Sequence, residues 1–379
     1  MKTAEKGFIT LLGAVMISIV FLTIITGLIL VSLSGKLIGK QLLYQGQANN
    51  TAQAGLTEAL SWFRKQDTQP VAAFAPQRDE DANPPILETE DSSIGLVRSY
   101  EVSELGNVWG RYEVRMDSVQ DVTNVRGKTG VGTIWQIESN GLIYVQNDAD
   151  QPYNVLPNRV LVNRRVRAEI QRMTVVLPGG NAAIQSLRAD NITIGNKAKV
   201  LGGSGIGLVY PPSTGSPTIQ GSVTGSPATS SISPFPYSIQ EIFGVSDQEL
   251  SGMADIVVTD MDDLPQDLPG MSIIVIQGDA VFTQNRPLMG SGILIVYGDL
   301  ELAVSSNSNY SGIIYVTGDY EQNAPSLVSG AIIALNGVAI NGLGDFAEVD
   351  FDDAILTNVQ QQMSQYRFSR NPYMLDKQP

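Results

Sequence analysis

Three unlike hydrophobic patterns follow one another along the chain. From Gly7 to Gly35 the run GFITLLGAVMISIVFLTIITGLILVSLSG holds 29 residues and no charge. About 20 such residues are enough for a helix to cross the hydrocarbon of a bilayer, so the run predicts a transmembrane helix. Lys2, Glu5 and Lys6 precede it and Lys36 and Lys40 follow it, so flanking charge says little about orientation. The run is too long for the core of an ordinary signal peptide, and no A-x-A cleavage site follows it. Beyond it the helical period continues with a new pattern. In KLIGKQLLYQGQANNTAQAGLTEALSWFRKQ, the residues Ala48, Ala52, Leu56, Ala59 and Phe63 step by three or four and draw one apolar stripe. Pro70 supplies a stop. The expected helix covers 8–66, about 90 Å at 1.5 Å per residue, with its outer half packed on a folded domain.

The second pattern is alternation. Residues 67–95 are rich in Pro and acid and read as a linker. After them GRYEVRMDSV, TIWQIESNGLIYV and RVLVNRRVRAEIQRMTVVL alternate apolar and polar side chains, with many β-branched and aromatic ones. Residues 96–178 are therefore expected to form a small antiparallel sheet, ended by Pro178-Gly179-Gly180.

The third pattern is a repeat. SIIVIQGDAVF, GILIVYGDLEL and GIIYVTGDYEQ place Gly-Asp at 278–279, 298–299 and 318–319, and GAIIALNGVAI is a degenerate fourth copy with Gly337. NITIGNKAKV at 191–200 looks like an earlier copy. An apolar strand, a Gly turn and a second short strand form a unit that buries its apolar side only when stacked on another. The region 179–379 thus reads as a parallel β-helix-like solenoid. Within it, the Gly/Ser/Thr/Pro-rich stretch 202–236 is expected as a low-complexity insertion. SDQELSGMA reads as a short helix with Ser246 and Glu249 at capping-box spacing, and 352–366 as a terminal helix placed to cap the stack. The fold class is α+β: a long N-terminal helix, an antiparallel sheet and a C-terminal solenoid.

Composition narrows the chemistry. The chain has no Cys and no His, which excludes disulfides, Cys/His zinc sites, Cys nucleophiles and imidazole-based triads. The net charge is −14, and residues 180–379 carry 20 acidic against 7 basic side chains. Such a surface repels phosphate, so nucleic acid is not an expected partner. GGSGIG at 202–207 lacks the Lys-Ser/Thr of a phosphate-binding loop.

The start of the chain resembles the type IV pilin class, and more closely the PilX-type minor pilins, pilus assembly proteins with a PilX N-terminal domain. The residues that carry this are Lys6-Gly7-Phe8, the GFITLLGAVMIS start and AQAGLTEAL at 52–60, with Gln53 where the family often has Glu. The solenoid units at 270–340 are similar to those of large PilX-type proteins. The resemblance implies a leader peptide, 1–7, removed by prepilin peptidase after Gly7. Phe8 then becomes an N-methylated first residue, and the helix packs in a filament core. It implies a non-enzymatic subunit taking part in pilus assembly and adhesion. Its partners would be other minor and major pilins, an assembly ATPase and platform, and the inner membrane. The location would be a single pass through that membrane with the globular part outside, and later a pilus at the cell surface. Major pilins usually carry Glu at the fifth mature position, where this chain has Leu12. Without that carboxylate a subunit cannot neutralise the amine of a preceding neighbour, and an unpaired charge in an apolar core is expensive. The absence favours a priming or tip position. The large pseudopilin of type II secretion shares it and is the alternative reading.

Asp279, Asp299 and Asp319 are the remaining candidates. Stacked carboxylates can bind calcium, and some β-helix proteins are polysaccharide-active enzymes. Gly-Asp after an apolar strand is first a turn signal, and no Arg or Lys stands beside these positions for lyase chemistry. Asp260, Asp262, Asp263 and Asp267 have alternate spacing like part of a calcium loop, without its Gly and distal Glu, and read as a solvated loop. Arg159, Arg164, Arg165, Arg167 and Arg172 form the basic cluster, with Arg165 and Arg167 on one strand face and Arg164 on the other. No cofactor or metal is expected.

Overall fold

The computed structural model describes residues 2–103, 107–176, 181–342, 344–369 and 373–374. Helix α1 (Lys2–Lys65) runs unbroken for 64 residues, about 95 Å at 1.5 Å per residue. The sequence stripe is its packed face. Ala48, Ala52, Ala59 and Phe63 are fully buried, and Leu56 nearly so.

That face lies on an antiparallel sheet of β1 (Gly95–Ser103), β2 (Val108–Arg115), β3 (Ile134–Val145) and β4 (Arg159–Arg172), hydrogen-bonded in the order β4–β3–β2–β1. Alternation turns Trp135 and Ile137 of β3 towards the helix, where they join one core with Leu56 and Phe63. Burying a side chain such as Phe63 contributes about 1.5–3 kcal/mol, and its ring sits 5.2 Å from both Trp135 and Tyr366. The small residues serve close approach. A Cβ on Gly141 of β3 would overlap the Ala48 carbonyl oxygen, and one on Gly55 would overlap the Ser139 hydroxyl.

The expected linker 67–95 is folded against this core. Val71 and Phe74 are buried, Arg78–Asp79 pairs with Ile86–Leu87, and Glu88 accepts a 2.9 Å hydrogen bond from the Trp62 indole. The sheet also recruits the far end of the chain. Tyr366–Phe368 pairs antiparallel with β4. The Tyr366 hydroxyl donates to the Gly132 carbonyl and accepts from the Val71 N–H at 2.9 Å. A boundary at 178 therefore does not close the sheet domain.

Parallel pairing takes over from Ala182. The repeat segments align twenty residues apart, Ile274 with Leu294 and Leu294 with Ile314, and Ile314 then meets Ile332. Their second strands align as Ala280, Leu300, Tyr320 and Val338. These strands build an eleven-stranded and a six-stranded parallel sheet. Ser272–Ile276 is buried at every position, so the larger sheet needs cover on both sides. Helices α2 (Ile239–Phe243), α3 (Asp247–Met253) and α4 (Asp353–Met363) supply one of them, with Phe243, Leu250, Leu356 and Val359 in the same core. The helix expected to cap the stack instead lies across Met289–Val296, Ser308–Val316 and Ser326–Ala334, because its apolar side matches that flank.

Two further differences from expectation concern topology. Residues 202–236 are no insertion: Ile206–Tyr210, Thr218–Ile219, Ser222–Thr224 and Thr229–Ser231 all pair in parallel within the two sheets. The order of stacking also departs from chain order. Residues 182–201 lie between 206–224 on one side and the last repeat, 326–350, on the other. After Ser231 the chain passes through α2 and α3 to the opposite end, restarts at Ile256–Val258 and works back to its own beginning.

Candidate functional site

Two features fit the chemistry anticipated from sequence: the apolar outer part of α1 and the ladder of Gly-Asp turns. Before Ala48 the helix leaves the sheet. Phe21, Leu22, Leu28, Leu37, Ile38 and Leu42 are 59–68 % exposed. Positions 21, 22, 24, 25 and 28 are all exposed and apolar and at 100° per residue share one side of the helix, while the equally exposed Leu37 and Ile38 fall on the other. A helix apolar all round belongs inside a larger apolar body, protein or lipid. Among the described residues, no helix is long and apolar enough to cross a membrane. Gly7, Phe8 and Leu12 lie in the first turns of α1, and their side chains, like those of all residues 2–20, lie outside the described ones.

The turn column is a hydrogen-bonded ladder. Asp279 Oδ1 accepts from the Asp299 backbone N–H at 2.9 Å, and Asp299 Oδ1 accepts from that of Asp319 at 2.8 Å. Asp319 Oδ1 then accepts from Asn336 Nδ2 at 2.8 Å. The preceding glycine makes room for this. A Cβ on Gly298, Gly318 or Gly337 would run into the carboxylate reaching up from the repeat below. The Gly-Asp pair is thus one device, in which the Asp of one turn bonds the next across a glycine, through the backbone at Asp299 and Asp319 and through the Asn336 amide at the last step.

Several of the other acidic and basic candidates have local partners. Asp260 accepts from the Asp262 N–H at 2.9 Å, and Arg286 reaches into the same loop, donating to the Leu264 carbonyl at 2.7 Å. Among the described residues, no group of three or more acidic side chains is placed to hold a metal ion. Arg165 and Arg167 flank Glu138 on the neighbouring strand of their own sheet at 3.5 and 2.9 Å. The two halves are joined elsewhere, by Lys128 to Glu249 at 2.9 Å and Arg367 to Asp255 at 3.0 Å. Sequence reading passed over Gly55 and Gly141. The small residue on each element has meaning only once helix and sheet are seen together.

No family model matches the chain, and no curated protein matches it. Among solved structures, the competence-associated pilin ComZ from Thermus thermophilus is similar at 10 % identity, over 88 % of this chain and 97 % of that one, with a TM-score of 0.16. A score that low does not establish a common fold.

Proposed function

We propose that this chain is a non-enzymatic pilin-like subunit of the PilX type that takes part in assembling a type IV pilus. In this reading α1 anchors it as a single-pass protein of the inner membrane, with the globular part outside. Prepilin peptidase removes 1–7 after Gly7, and the helix then moves into a bundle of similar helices in the filament. That transfer exchanges one apolar surrounding for another, so its cost is modest. The parallel sheets are faces of a β-solenoid head, carried on the antiparallel sheet and presented for adhesion. Leu12 in place of a carboxylate suits a priming or tip position. The observation that supports the reading is the contrast along α1, packed from Ala48 onward and apolar but uncovered between Phe21 and Leu43. A soluble monomer would not leave such a stretch bare.

The test is the intact mass of the protein from cells with and without prepilin peptidase. The expected result is loss of Met1–Gly7 together with gain of one methyl group, only where the peptidase is present. An uncut N-terminus in both strains would overturn the pilin reading and leave a simple membrane anchor.

A further inference from the structure

The outer face of the antiparallel sheet, opposite α1, holds a cavity of about 580 Å³. Its floor is β2, whose odd positions Trp109, Arg111, Glu113 and Arg115 all point away from the helix. One wall is the 146–158 loop, which brings Tyr153 and Asn154 over the floor, with Tyr144 beneath. The loop is fixed in place. The buried Asn158 amide accepts from the N–H groups of Asn147 and Asp148 at 2.7 and 2.9 Å and donates to the carbonyls of Asp148 and Gln151 at 2.7 and 2.8 Å.

The lining has a specific chemistry. Glu113 is only 3 % exposed and takes a 2.8 Å hydrogen bond from Arg111 Nε, with Arg115 at 3.7 Å. Arg111 in turn lies 4.9 Å from the centre of the Tyr153 ring, and the Tyr144 and Tyr153 rings are 5.6 Å apart. Asp91 and Glu113 balance Arg111 and Arg115, so the cavity carries no net charge. The charged groups at its floor already satisfy one another, and a ligand that brought a charge would find no unmatched partner. What remains free is aromatic surface and amide edges: among the described residues, the Trp109 indole and the Gln146, Gln151 and Asn154 amides make no side-chain hydrogen bond. Burial, with the charge and hydrogen bond of Glu113 beside it, pushes the Tyr153 phenol above its ordinary value.

We infer that this cavity is a binding site for a neutral saccharide of one to a few rings. A pyranose has an apolar C–H face, which stacks on flat aromatic surface, and a rim of hydroxyls that both donate and accept, which suits the free planar amides. The volume lies within the range of small-ligand sites. The proposal does not depend on the pilin reading, since the cavity is formed by the sheet domain on the side away from α1.

The test is titration of the full chain, in a detergent without a sugar headgroup, with a panel of neutral di- to tetrasaccharides built from glucose, galactose or N-acetylglucosamine. Trp109 is the reporter, because Trp62 and Trp135 are buried. Expected are a saturable fluorescence change that Trp109→Phe abolishes, saturation-transfer NMR signals from the sugar ring protons, and binding about tenfold weaker in Tyr153→Ala. Asn154→Ala, an exposed position outside the Asn158 anchor, should weaken binding with an unchanged melting temperature, which guards against Tyr153→Ala acting through the loop. The proposal is overturned if no saccharide in the panel saturates by about 10 mM. It is also overturned if both variants bind like the parent, or if sialylated or uronic sugars bind better than neutral ones.

Discussion

Replacing Asp299 by Ala removes one step of the Gly-Asp ladder, and replacing Gly318 by Ala attacks the same step from the other side. In the first, the Asp319 N–H loses its 2.8 Å acceptor. The site is solvent-exposed, so water takes over in part and the loss is about 1 kcal/mol, below the usual range for a charged acceptor. In the second, the new methyl collides with Asp299 Oδ1 and approaches the Gly298 carbonyl oxygen to 2.7 Å. The carboxylate can rotate away, giving up its hydrogen bond, but the backbone oxygen cannot. The expected cost is about 1–3 kcal/mol. The double variant loses the hydrogen bond only once, so it should be less destabilised than the sum of the singles by about 1 kcal/mol. Asp299→Asn keeps an acceptor and should cost less than Asp299→Ala. Urea unfolding of the full chain in detergent, followed by far-UV circular dichroism, measures all four. Additivity within about 0.5 kcal/mol would refute the ladder as the reason for the Gly-Asp pairs. So would an Asp299→Asn as damaging as the Ala variant.

Two further outcomes test other parts of the structure. The Tyr310 hydroxyl is fully buried without a partner among the described residues, and burial raises its pKa. Tyr310→Phe should therefore stabilise the chain by about 1 kcal/mol in the same unfolding assay, and a loss of stability would reveal a partner for that hydroxyl. Burial pushes the Glu249 carboxyl up, but the Ser246 backbone N–H, Lys128 and the Ser246 hydroxyl outweigh it and hold the group below 4.5. The folded value lies under the unfolded one, so the stabilisation is complete above pH 4.5 and disappears as pH falls through the folded pKa. Unfolding midpoints from pH 7 down to about 3 should fall less steeply for Glu249→Gln than for the parent, and parallel acid limbs would contradict this coupling.

The parts of the site that sequence exposed are those whose cause is local. The stripe Ala48–Ala52–Leu56–Ala59–Phe63 is visible because a helix brings residues three and four apart onto one face whatever it packs against. The Gly-Asp spacing is visible because each repeat unit pairs with the next along the chain, so one register serves them all. The capping box of Ser246 and Glu249 forms as its spacing predicts, since both partners lie within one turn.

What composition hid depends on partners distant in sequence. Residues 202–236 have the Gly, Ser, Thr and Pro of a loop, and become strands because Ala182–Ser186, Ile192–Ile194 and Ala198–Leu201 offer them backbone edges. The cavity over β2 escaped notice because its aromatic and polar side chains come from segments about forty residues apart and meet only across the sheet. The sequence alone determined where the helix runs, which face it buries, where the strands alternate and how the repeat is spaced, because backbone geometry ties each to neighbours a few residues away. The tertiary structure alone decided that the first parallel strands dock on the last, that Tyr366–Phe368 completes the first sheet, and that α4 covers a flank rather than an end. Each of these joins segments far apart in the chain, and the choice of partner rests on which surfaces remain apolar after the local elements have formed.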